Sequence, residues 1–205
     1  MSPDAALSAG ANRDPDGANL AMMGVSEDQA EPMSINAVPD RSEAAEYYFT
    51  YIDKVPPGDI CDTLEAQLGD TFTVLNAIGD EASLQRYAPD KWTIRQVLSH
   101  LNDTERLFTF RAMWFARGFD SPLPSFDQDV AIREAAADER PWRSHIEEFR
   151  SIRMASLALF RHLPRGAWSR RGIASDNPFS VRALAYITAG HVAHHVGILQ
   201  SRYGV

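Results

Sequence analysis

This chain is short of several things that would have placed it quickly. It has one cysteine in 205 residues, Cys61, so no internal disulfide forms and a reducing compartment is expected. Cys61 reads as a small apolar residue in the first turn of a helix, not as a catalytic thiol. Lysine occurs only at positions 54 and 91, leaving arginine to carry the rest of the positive charge. Acids outnumber bases 28 to 20 for a net charge of −8, and no basic stripe emerges. Nucleic-acid binding therefore lacks its electrostatic footprint. No run approaches the roughly 18 apolar residues that cross a bilayer. The N-terminus has no basic segment followed by an apolar stretch, so a secretory signal is not expected. These absences together predict a cytoplasmic protein with neither nucleic-acid nor membrane partners.

What is present divides at about residue 41. Residues 1–41 are rich in Ala, Gly, Asp, Asn, Ser and Pro without periodicity, and hold seven acids against two bases. That composition predicts a disordered acidic tail. Residues 42–205 read as one domain, and a hydrophobic content of 44% is enough for a core. An aromatic segment at 42–52 is expected to pack on it. Pro56-Pro57-Gly58 then breaks the chain, and Asp59 can cap a first helix reaching about Ile78. Thr93 and Gln96 have capping-box spacing, so a second helix should run from there to about Arg117, with Trp92 and Val97 spaced as a hydrophobic staple. Residues 119–138 read as a long crossover with a helical turn near 127–135. Pro141 suits the first turn of a third helix ending before Pro164, and Ser180 is the expected N-cap of a fourth. With no strand-length alternating run, the fold class is all-α, a four-helix bundle with a long crossover connection.

The chemistry concentrates in the fourth helix, at Gly190-His191-Val192-Ala193-His194-His195. His191 and His195, four apart, stand on one helix face within reach of a shared divalent ion. They lie in a row with Leu184, Thr188, Ile198 and Arg202 at steps of three and four, which turns them inward. Buried imidazoles without partners cost on the order of 1 to 3 kcal/mol per group, so either a metal or a polar network must satisfy them. His100, in the row Val97, His100, Thr104, Leu107, Arg111, Trp114 of the second helix, is the candidate third ligand. Asp103 could accept the second ring N–H of His100. Glu105, five residues on, is turned about 140° away and is a poor candidate.

Trp92, His100 eight residues later, Leu101, Asp103 and Glu105, then Gly190-His191 and His194-His195 some ninety residues on, carry a resemblance. Over residues 43–203 the chain resembles the DinB-like superfamily of four-helix-bundle metalloproteins, of the DinB/YfiT-like type, which includes bacillithiol transferases and mycothiol-dependent groups. The resemblance implies metal ligation by His100, His191 and His195, with His194 as a neighbour. It also implies a thiol S-transferase in which the metal holds a low-molecular-weight thiol as thiolate for attack on an electrophilic small molecule. Two alternatives stand beside it: hydrolysis by metal-bound hydroxide, and a non-catalytic metal-binding module whose fourth ligand would be His194 or His145.

Three neutral ligands would leave a divalent ion its full charge and an open position. Zinc is expected on availability, although imidazole also suits nickel, copper and iron, and manganese is a further candidate. The catalytic group is then the metal-bound thiolate or water, with Asp103 as the one protein candidate beside it. Trp92, Trp114, Tyr48 and Tyr51 are candidates for the pocket wall. Arg111, on the inner row, calls for an acidic partner if buried. Arg182, at the start of the fourth helix, is expected to form a salt bridge. A homodimer is an open expectation.

Overall fold

The computed structural model describes residues 37–205. The expected tail therefore falls outside the described residues except for 37–41. Pro39 is buried, and Asp40 closes a capping box on the 3-10 turn Arg41–Glu43.

Four long helices form the bundle: α2 (Ile60–Asn76), α3 (Ile94–Ala116), α5 (Trp142–Arg161) and α6 (Val181–Ile198). Two short ones, α1 (Phe49–Ile52) and α4 (Gln128–Glu134), flank it. Three of the four long helices start where a neighbouring side chain offers the backbone a partner. Asp59 accepts from the Cys61 N–H at 2.8 Å, Thr93 and Gln96 form a reciprocal capping box, and Ser180 accepts from the Ala183 N–H at 2.9 Å. Pro141 precedes α5 as its N-cap. In the crossover, Asp127 caps α4.

Helix α3 packs on α5 and α6, and α2 packs on the same two, so the pairs α2/α3 and α5/α6 face each other across the bundle. Helix α6 is buried at every position from Val181 to Val192. It needs an apolar surface all round because α1 covers the side that α2 and α3 leave open. Gly190 makes that cover possible. A Cβ there would sit 2.1 Å from the Tyr51 carbonyl oxygen, so only glycine lets α1 lie directly against the histidine-bearing helix.

One element differs from the expectation. Arg171–Ala174 (β1) and Asn177–Ser180 (β2) form an antiparallel hairpin, with Arg171 opposite Ser180 and Ala174 opposite Asn177. Its two-residue turn, Ser175-Asp176, has φ of 50° and 59°, the left-handed pair that matches strand twist. Strands of four residues containing a glycine and a proline give no alternating signal.

Candidate metal centre

Helix α6 carries His191 and His195 on the face it turns to α3, and α3 answers with His100. The three ring centroids lie 5.0, 5.0 and 4.6 Å apart pairwise. Their ligand nitrogens all fall within 4.8 Å of one another. His100 Nε2 and His191 Nε2 are 3.2 Å apart. Two nitrogens bound to one tetrahedral zinc at 2.0–2.1 Å stand about 3.3 to 3.4 Å apart, so the observed spacing suits a shared ion. His195 Nδ1 is buried with no hydrogen-bond partner, an orphan of the kind that a missing ion or water explains. The residues present therefore fit a divalent metal.

The site is also prepared electrostatically. Burial pulls the His100 pKa down to about 4. Burial, with His100 and His194 nearby, takes His195 to about 3, and the same causes hold His191 well below its ordinary value. At neutral pH all three rings are uncharged donors, so no proton competes with an ion. Thr104 sets the tautomer of one of them. Its hydroxyl hydrogen goes to the His100 carbonyl at 2.7 Å, so its oxygen accepts from His191 Nδ1 at 3.3 Å and leaves His191 Nε2 bare.

Residues 63–199 match the sequence profile of the DinB superfamily. The chain belongs to that superfamily. No curated protein matches the sequence. Among solved structures, the fold is similar to YfiT from Bacillus subtilis, described as a probable metal-dependent hydrolase with an unusual four-helix bundle topology. That match has a TM-score of 0.63 at 18% identity and covers 81% of this chain and 93% of the other.

In this DinB-superfamily chain, the histidines meet two cavities. One, of about 300 Å³, has His100, Thr104 and His191 on its wall with Tyr48, Tyr51 and Arg111. The Tyr51 ring packs edge-on to both His191 and His194, at 5.1 and 5.4 Å between centroids. The other, of about 270 Å³, reaches His195 past Trp92, Asp90, Asp129 and Tyr203. The first volume stands at the lower edge of the range of small-molecule sites, and the second just below it. Trp92 thus joins the pocket wall, with its ring 5.1 Å from His100. Trp114 does not; it stacks on Phe119 at 4.2 Å and donates to the Ser121 carbonyl.

Two expectations about neighbouring groups need correction. Asp103 does not reach His100. It lies 3.6 Å from Arg106 and lines an outer depression with Arg140, where burial pushes its carboxyl above the ordinary range. Its carboxylate is drawn instead to Arg106, three residues on along the same helix, on the side of α3 that faces outward. His145 is no fourth ligand either, since its Nε2–H donates to the Ala137 carbonyl at 2.9 Å. His194 lies beside the three and outside the group that could hold an ion.

Arg182 pairs with Glu43, as its position suggested. Arg111 departs from expectation. It is 2% exposed, burial lowers its pKa, and among the described residues it has no acidic partner. Its Nη2 donates to the Pro124 carbonyl at 3.0 Å and to Ser175 Oγ at 2.8 Å, and its Nε is buried without an acceptor. Sequence reasoning placed Thr104 on the inner row without a role, although four residues past His100 is the hydrogen-bonding distance on a helix. Ser175 sits in the hairpin turn, and nothing in the sequence announced it.

Proposed function

We propose that the chain is an enzyme holding a divalent metal on His100, His191 and His195 and activating a low-molecular-weight thiol for transfer to an electrophilic small molecule. The observation that carries the metal reading is the convergence of three imidazoles from α3 and α6, two of their nitrogens 3.2 Å apart. Zinc is the ion proposed, on availability, with nickel, iron and manganese as alternatives. An ion held by three neutral ligands keeps its full charge and supplies the Lewis acidity that lowers the pKa of a thiol or water brought to it.

The chain's own groups favour the thiol. Among the described residues, no Asp or Glu lines the cavity that contains His100 and His191. Glu105 is buried in a two-point pair with Arg153, and Asp103 faces away. Activating water for hydrolysis calls for a positioned base, whereas a thiol, far more acidic than water, does without one. Thr104 orients His191, and the tyrosines wall the cavity beside the rings. A purely structural ion would have its fourth position closed by protein, and no fourth ligand joins the cluster among the described residues.

Hydrolysis is the second reading. It is supported by Asp90 and Asp129 in the cavity that meets His195, and by the printed description of YfiT. One set of measurements separates the readings. The purified protein should carry one zinc, and His100→Ala and His191→Ala should each lose it; stoichiometric zinc on both variants would overturn the ligand assignment. The loaded protein should conjugate monochlorobimane with bacillithiol, mycothiol or glutathione. Turnover of activated esters without thiol, and no conjugation with any of the three, would move the assignment to a hydrolase.

A further inference from the structure

We propose that Arg111 anchors a carboxylate at one end of the small molecule whose other end reaches the histidines, so that the ligand of this site is an elongated anion. This deepens the reading above and shares its cavity, but it does not depend on the metal. Four arginines are buried among the described residues. Arg95 meets Asp80 at 2.8 Å, Arg153 meets Glu105 at 2.8 Å, and Arg182 meets Glu43. Arg111 alone of the four meets only neutral acceptors, the Pro124 carbonyl and the Ser175 hydroxyl, with its Nε left over.

A buried guanidinium is ordinarily matched by a carboxylate, and its planar fork of N–H donors suits one. Here no described residue supplies the matching charge. Arg111 lines the same cavity of about 300 Å³ as His100 and His191. Among the described residues the cavity wall holds three tyrosines and Gln128 but no acid, in a chain whose net charge is −8. An anion entering it meets no like charge. Arg111 follows His100 by eleven residues, three turns of α3, which puts both on one face with their Cα atoms about 16 Å apart along the axis. The arginine side chain leans back toward His100 and shortens the gap. A molecule long enough to touch both ends therefore lies along α3 with its carboxylate at Arg111.

The test uses metal-free full-length protein labelled with ¹⁵N-arginine, titrated with hexanoate, with methyl hexanoate and with inorganic phosphate. Hexanoate should shift the Arg111 Nε–H resonance, and the neutral ester should not. Arg111→Gln should weaken hexanoate binding by about tenfold or more, while zinc stoichiometry stays at the wild-type value. The proposal is overturned if the ester binds as well as the acid, if hexanoate binds without moving that resonance, or if it does not bind. A phosphate effect equal to that of hexanoate would reduce the site to a general oxyanion hole and would also overturn it. Should Arg111→Gln fail to fold, the acid-against-ester comparison on wild-type protein decides alone. Loss of zinc binding in wild-type protein would sink the metal reading and leave this one standing.

Discussion

Helix α3 carries two polar clusters into the bundle, and they are built on opposite plans. Toward α5, both oxygens of Glu105 accept from Arg153 at 2.8 Å. Arg153 also donates to the Leu64 carbonyl and to Gln67, and Gln67 donates to the Ala189 carbonyl at 2.8 Å. That chain of bonds ties α3, α5, α2 and α6 together two residues before His191, and it is closed within the protein. Toward α6, His100 and Thr104 face rings that carry no charge, nitrogen stands against nitrogen, and His195 Nδ1 has no partner. A cluster that satisfies itself fixes helices in place, and one that leaves donor atoms converging on a common point is shaped for something brought from outside.

The sharpest way to break this contrast is to open the closed cluster. Glu105→Ala strands the Arg153 guanidinium in the core, and removing one partner of a buried pair costs about 3 to 5 kcal/mol. Urea unfolding of metal-free protein should show that loss. His100→Leu, measured in the same way, should cost less, about 1 to 3 kcal/mol, because it leaves His191 Nε2 without its neighbour at 3.2 Å but strands no charge. Equal losses at the two positions would mean that the histidines are structural and the distinction is false.

Protonation probes the open cluster next. The three histidines have folded-state pKa values below 6.5, reaching about 4 for His100 and about 3 for His195. Their neutral forms therefore contribute full stability above pH 6.5. As pH falls, the unfolded chain takes up protons that the folded one refuses, and stability is lost until the folded values are reached. Each such group adds a slope of about 1.4 kcal/mol per pH unit at most. Metal-free protein should lose stability steadily from pH 6.5 toward 5, with a shallower slope in His100→Leu. A flat profile over that range would show that the rings are hydrated and not desolvated as described.

How much of this was legible beforehand follows from the range of each interaction. The caps Asp59, Thr93 with Gln96, and Ser180 are local, bonding backbone two or three residues away, and they stand where spacing put them. The inward row of His191 and His195 is a property of one helix, and so is the inner row that made His100 the candidate third ligand, while the resemblance added the pairing of the two rows. The residues that depend on distant segments were closed to such reading. Glu105 was correctly excluded from the site, yet its partner lies 48 residues away on α5. Arg111 depends on where the crossover and the turn at Ser175 come to rest, and no spacing encodes that. Asp103 failed for a related reason: counting positions placed it near His100, and its neighbours Arg106 and Arg140 hold it on the outer side of the helix.

The smallest effect tests the finest feature of the open cluster. Thr104→Val keeps the shape of the side chain, its branching and its helix position, and removes only the oxygen that accepts from His191 Nδ1 at 3.3 Å. With the acceptor gone, nothing favours the tautomer that leaves Nε2 bare, and the ring is freer to turn. Loss of a hydrogen bond behind a metal-binding histidine typically weakens affinity 10- to 100-fold. Competition with a zinc chelator should show a decrease of that order, while the metal-free protein loses only about 1 kcal/mol of stability, the net contribution of one hydrogen bond. An affinity within about twofold of wild type would mean that His191 is oriented by packing against Tyr51 and Phe108, and that the hydroxyl serves only to close the helix turn on the His100 carbonyl.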